Sequence, residues 1–250
     1  MPDNEDYILQ TINLSKSFGG IKAVNNVSFK VKPKENLGVI GPNGAGKTTM
    51  FNLITGYIPI DSGEIIFENN NIEKLPARKR SLTGISRTFQ TSQLFLDLTI
   101  KENLFLAANK NQNTYNIFIP WNKDKEKIEK SIEIAKEIGL YDNFNVKAKE
   151  LPHGKRRLLG IGQALISDSK LLMLDEPAAG LPAQERNTIS KLIKKITKEL
   201  TLIIIDHDMD IIFDLADRVL VMNQGEILAI GDPEEIQNNE EVQRIYVGGE

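Results

Sequence analysis

Gly41-Pro42-Asn43-Gly44-Ala45-Gly46-Lys47-Thr48 fits G-x-x-x-x-G-K-[ST], a spacing whose backbone N–H groups converge on an anion. The glycines let the main chain approach a phosphate with no Cβ in between, and a helix starting at Lys47 aims its positive end at the same point. Lys47 then neutralises β- and γ-phosphate charge and Thr48 offers its hydroxyl to Mg²⁺, with Thr49 counted among the nucleotide-binding residues. The apolar run Leu37–Ile40 before the loop and a helix-compatible stretch after it supply the context the motif requires.

A second constellation ends an apolar run: Leu171-Leu172-Met173-Leu174 leads into Asp175-Glu176. A buried strand ending this way delivers both acids to the carboxyl edge of a sheet, where α/β folds bind ligands. Asp175 suits Mg²⁺ held through water, and Glu176 suits a base for water attacking a γ-phosphate. Leu202-Ile203-Ile204-Ile205 runs into Asp206-His207, bringing one of only two histidines to the same edge. A neutral imidazole donates to a phosphate oxygen while accepting elsewhere, so His207 reads as a phosphate sensor; taken alone it reads equally as a surface histidine.

These groups need a parallel sheet to hold them. Apolar runs at Leu37–Ile40, Leu171–Leu174, Leu202–Ile205 and Val219–Met222 predict buried strands. Between them, Lys47–Thr55, Lys123–Ile138, Arg156–Leu165 and Gln184–Leu200 predict helices. The alternation argues for an α/β fold. Ile8–Leu14, Val24–Val31 and Gly63–Phe67 look like strands joined without helices, which predicts a small antiparallel sheet beside the parallel one. The stretch from about Thr91 to Glu150 breaks the alternation and reads as an inserted helical subdomain. Six of the sixteen aromatic residues lie between Phe89 and Trp121, fitting either lobe core or a docking surface for another protein.

Composition narrows the field. With no cysteine among 250 residues, a disulfide scaffold and a cysteine-ligated metal are excluded. A formal charge of −3 leaves no global positive field, so no nucleic-acid partner is expected. No apolar run approaches the roughly 20 residues of a membrane-spanning helix. The acidic start Met1-Pro2-Asp3-Asn4-Glu5-Asp6 is unlike a secretory signal, and the chain is expected to stay in the cytoplasm.

Taken in order, these residues resemble the nucleotide-binding subunit of an ATP-binding cassette (ABC) transporter over essentially the whole chain. The resemblance implies a P-loop NTPase core of residues 1–90 and 159–235 that includes the antiparallel β-subdomain, a helical subdomain of residues 91–158, and a tail of residues 236–250, all one ATP-binding domain. It implies that Phe18 stacks on adenine, although the same residue reads as a core Phe of an edge sheet. Gln90 fits the loop glutamine that touches Mg²⁺, and Leu151-Pro152-His153-Gly154-Lys155 stands where the family carries the signature L-S-G-G-Q. In the family that loop binds the γ-phosphate of ATP held by the other protomer. Pro152, His153 and Lys155 depart from it, and Pro182 replaces the aspartate that often ends the following loop.

The implied activity is an ATPase with ATP and Mg²⁺, acting at the cytoplasmic face of the membrane. Its implied partners are membrane-spanning permease subunits, a second cassette (a copy or a paralogue) and, indirectly, a substrate-binding protein. Gly84–Gln90, Ala178–Leu181, Asp206–Met209 and the tail from Ile236 to Tyr246 are similar to cassettes of branched-chain amino-acid importers and their urea- or amide-importing relatives, with the lipopolysaccharide exporter's cassette as near neighbour. A non-transport cassette protein and a regulatory ATP-holding module are the rival readings.

Overall fold

The computed structural model describes residues 6–88, 94–108 and 124–247. Its first strands, β1 (Leu9–Phe18), β2 (Ile21–Val31), β4 (Ser62–Phe67) and β5 (Asn70–Asn71), form the small antiparallel sheet in the order β2-β1-β4-β5. A second sheet contains β3 (Asn36–Ile40), β6 (Ile85–Arg87), β7 (Leu171–Asp175), β8 (Thr201–Ile205), β9 (Arg218–Asn223) and β10 (Glu226–Gly231). Its order is β10-β9-β3-β8-β7-β6, parallel throughout except where β10 runs antiparallel to β9.

Every residue of β7 and β8 is buried, which is why they read as unbroken apolar runs: a parallel strand covered on both faces has no polar side to alternate with. β10 was not among the expected strands, although Ile227-Leu228-Ala229-Ile230 is an apolar run of four; its residues are mostly half-buried. It forms because Gln224 and Gly225 both take positive φ (49° and 84°), the two-residue turn that matches strand twist and folds the chain back onto β9.

Helices α1 (Lys47–Thr55), α2 (Ala77–Leu82), α3 (Ile100–Ala108), α4 (Lys125–Glu137), α5 (His153–Leu165), α6 (Ala183–Ile196), α7 (Met209–Leu215), α8 (Pro233–Asn238) and α9 (Glu240–Val247) complete the chain. α5 begins three residues earlier than its sequence pattern predicts, because Pro152 is set at φ −56° and leads directly into the first turn. α6 ends at Ile196, short of the expected Leu200, where the Thr197 hydroxyl donates to the Ile193 carbonyl and β8 starts at Thr201. α4 starts at Lys125 rather than Lys123, capped by the Asp124 side chain on the Lys127 N–H.

Two apolar clusters cover the two faces of the large sheet. Alternate residues of one strand enter different clusters: Leu171 and Met173 face one way with α1 and the antiparallel sheet, Leu172 and Leu174 the other with the helical lobe, α6, α7 and the tail. The phosphate loop therefore lies between a layer that carries β2 and a layer that carries α5. The fold is that of a P-loop NTPase. Among the described residues no helix is long and apolar enough to cross a membrane.

Candidate functional site

The pairing of β3 with β8 and of β8 with β7 puts Val39, Ile205 and Asp175 side by side. The chain leaving each strand then enters the same edge: Gly41 from β3, Glu176 from β7, Asp206 and His207 from β8. Parallel direction does this, because three carboxyl ends of parallel strands necessarily share one side of a sheet.

The loop after β3 has little freedom. Gly41 has φ 150° and Gly46, which precedes α1, has φ 100°; a Cβ on either would lie 2.2 Å from a carbonyl oxygen, that of Met222 or of Ala23. Only glycine passes. The turn before β10 buttresses the loop from behind, with the Gly225 N–H donating to the Ala45 carbonyl at 3.0 Å. Asn43, Gly44 and Thr48 are exposed, Thr49 is half-buried and Ala45 is buried. Lys47 Nζ donates to the carbonyls of Gly41 (2.6 Å) and Pro42 (2.9 Å). Burial lowers the Lys47 pKa, and the charges of Glu176 and then Asp175 oppose that shift.

Asp175 is 3% exposed and pairs through Oδ2 with Arg87 Nη2 at 2.7 Å. Its other oxygen, Oδ1, is buried with no hydrogen-bond partner among the described residues. An orphaned carboxylate oxygen beside a phosphate loop fits a cation ligand, since leaving it unpaired costs stability. Glu176 follows at φ 49°, a left-handed conformation that β-carbon residues adopt at a cost, fixed here by its N–H donating to the Ile205 carbonyl at 2.8 Å.

Asp206 is 1% exposed; its Oδ1 accepts from the Asp208 N–H at 3.0 Å, and its Oδ2 is buried with no hydrogen-bond partner among the described residues. Burial pushes its pKa up, and the nearby backbone N–H groups and the neighbouring His207 only partly offset the shift. His207 itself is 65% exposed, with Nδ1 3.6 Å from Asp206 Oδ1, beyond hydrogen-bond reach. Arg186 joins Asp208 at 2.6 Å and so ties the start of α6 to the start of α7.

Two residues of this edge escaped the sequence reading. Arg87 ends β6 and spans Asp175, Asn52 Oδ1 (2.5 Å) and the faces of Phe51 and Tyr57. Arg157 is buried on α5, where burial lowers its pKa against the opposing charges of Glu176, Asp206 and Asp175. A cation at the end of a short strand was the only signal for the first; for the second it was an arginine on the same helix face as Gly154 and Ile161.

The remaining expected residues lie elsewhere. Phe18, at the far end of β1, is 46% exposed with the Lys16 ammonium 5.7 Å from its ring centroid, which removes the core reading for that residue. Gln90 lies outside the described residues, as do Phe89, Tyr115, Phe118 and Trp121; of the remaining aromatics in that segment, Phe105 is buried and Phe95 exposed. Leu151 and Gly154 are buried, Pro152 and His153 exposed, and Lys155 Nζ donates to Asn143 Oδ1 at 2.8 Å. Among the described residues no hydrogen bond or ion pair joins Leu151–Lys155 to Gly41–Thr49.

A family model described as ABC transporter matches residues 24–179, spanning the loop, the signature segment and the acid pair. The chain belongs to the ABC transporter ATP-binding cassette family. A second model, Branched-chain amino acid ATP-binding cassette transporter, matches residues 226–250 of the cassette. The cassette is 37% identical to the high-affinity branched-chain amino acid transport ATP-binding protein LivG of Escherichia coli, with 96% of this chain and 98% of that one covered. It is 38% identical to BraF of Pseudomonas aeruginosa at the same coverage. Among solved structures, a nucleotide-free ATP-binding cassette superposes with TM-score 0.85 at 35% identity, over 96% of this chain and 99% of that one. A cassette in its ADP conformation gives 0.86 at 34% identity, over 97% and 99%. The cassette is an ATPase that binds ATP.

Proposed function

We propose that this cassette hydrolyses ATP to drive import of branched-chain or other amino acids through membrane-spanning permease subunits, working as one of two cassettes at the cytoplasmic face of the membrane. The convergence of Gly41–Thr49, Asp175 and Glu176 on one sheet edge carries the enzymatic part. Support for the solute comes from the tail model and from relatives named for branched-chain amino acid transport.

In this reading the loop N–H groups and Lys47 hold the triphosphate, with Phe18 as the exposed ring for adenine. Thr48, Asp175 through Oδ1, and Gln90 are the residues that hold Mg²⁺, which when bound neutralises phosphate charge. Glu176 accepts the proton of the attacking water, and His207 donates to the γ-phosphate. Leu151, Pro152, His153, Gly154 and Lys155 present a helix N-terminus to the nucleotide of the other cassette. Residues 1–90 and 159–235 then act as the core and 91–158 as the lobe. The permease has a candidate seat in a cavity of about 420 Å³ between α2, β6, α3 and α5, lined by Tyr57, Arg87, Leu106 and Arg157 among others.

Glu176→Gln tests the chemical step: ATP binding should survive and closed dimer accumulate while phosphate release falls about 10²- to 10⁴-fold, the usual worth of a general base. Wild-type turnover in that variant would remove Glu176 from its role. ATP-dependent uptake of labelled leucine by vesicles holding the co-purified membrane chains tests the solute, with urea and short amides as competitors. Uptake of urea alone would reassign it.

A further inference from the structure

Arg87 joins two elements that carry groups assigned above to Mg²⁺. It ends β6 opposite Met173, and Met173 and Asp175, two residues apart on β7, share the face of the sheet turned to α1. The guanidinium divides its arms between them: Nη2 donates to Asp175 Oδ2 at 2.7 Å, and Nη1 donates to Asn52 Oδ1 at 2.5 Å with the Thr55 hydroxyl oxygen 3.5 Å away. Asn52 follows Thr48 by four residues on α1, so both side chains stand on one face of that helix, about one turn apart. One planar side chain thus links the Thr48 face of α1 to the end of β7.

The guanidinium has little room to turn. Its central carbon lies 5.6 Å from the Phe51 ring centroid and 6.0 Å from that of Tyr57, and the ion pair is nearly closed to water, with side-chain exposures of 5% for Arg87 and 3% for Asp175. A buried carboxylate needs a counter-charge, which any cation could supply. What the fork adds is a choice between the two oxygens. Oδ2 is taken, while Oδ1 is buried with no hydrogen-bond partner among the described residues.

We propose that Arg87 is a positioning residue for the metal site: it holds Asp175 by Oδ2 so that Oδ1 is the oxygen offered to the cation, and by gripping Asn52 it keeps that oxygen in register with Thr48. The inference rests on the reading that Gly41–Thr49 and Asp175 hold the nucleotide and its metal. Charge and geometry act here with opposite signs, since the guanidinium repels a second cation while its fork aims the carboxylate at one. Arg87→Lys separates them. It keeps the positive charge and gives up the planar fork, because an ammonium cannot serve Asp175 and Asn52 along two fixed directions.

Titration of the ADP-loaded full chain with Mn²⁺, followed through the EPR signal of the free ion, reads the site directly. Arg87→Lys should raise the Mn²⁺ Kd about ten-fold, the low end of what the outer partners of a metal ligand are worth, while calorimetry in EDTA shows ADP affinity unchanged. Asn52→Ala leaves the Asp175 ion pair in place and should raise the Mn²⁺ Kd by a smaller factor; it decides alone if Arg87→Lys does not fold. An unchanged or tighter Mn²⁺ Kd in a variant that thermal unfolding shows to be folded overturns the proposal, because Arg87 is then only a counter-charge. So does an equal loss of ADP affinity in EDTA, the mark of a merely structural role. A wild type that holds no more Mn²⁺ than ADP alone does would instead overturn the metal reading of Asp175, and this inference with it.

Discussion

The phosphate loop and the segment proposed as the signature both lead into a helix N-terminus, yet they are built differently. In the loop the backbone itself is locked: Gly41 and Gly46 take positive φ and face carbonyl oxygens that no side chain could displace. The signature glycine, Gly154, sits inside the first turn of α5, and what lies against it is the carboxylate of Glu185; a Cβ there would meet Oε2 at 2.1 Å. Each region neutralises itself in opposite ways, with the Lys47 cation on loop carbonyls and the Glu185 anion beside a helix start. The loop is shaped by its own chain, whereas the signature end has a flexible side chain in front of it, a surface suited to being completed from outside.

That contrast breaks most visibly at Lys47. Lys47→Ala removes the loop's cation, and ATP affinity should drop by about ten- to a hundred-fold, as for loss of a charged hydrogen bond. A calorimetric titration matching the wild type would erase the distinction between the two regions.

Glycine substitutions sharpen it. Gly46→Ala puts a Cβ against the Ala23 carbonyl in a left-handed conformation, and urea unfolding should show more than about 2 kcal/mol lost. Gly154→Ala meets only the end of a movable carboxylate, so stability should change by less than about 1 kcal/mol while ATPase activity of the assembled complex falls. Equal destabilisation by both would mean that the signature glycine is locked as the loop is.

The smallest effect concerns Asp206, which is buried and accepts from the Asp208 N–H at 3.0 Å. Burial raises its folded pKa above the ordinary 3.8, so the folded chain holds that proton more tightly than the unfolded chain does. The resulting stability is full below 3.8 and is lost as pH rises through the folded value. Asp206→Asn carries no such loss. Relative to wild type it should therefore gain stability as pH rises above about 4, read from urea midpoints; a pH-independent difference would show that burial does not control this carboxyl.

The sequence by itself determined the parallel core, the phosphate loop and the acid pair. Each is local along the chain: a run of apolar residues covered on both faces, glycines at fixed offsets, two acids ending a strand. Tertiary structure alone decided what surrounds them. Arg87 reaches Asp175 across 88 residues of sequence, a contact that no periodicity encodes. Arg157 has no local signal of its own, and only the packing of α5 buries it near the charges of Glu176, Asp206 and Asp175. Strand polarity and turn chemistry are written in neighbouring residues, whereas the partner of a buried charge is set by which distant segments the sheet brings together.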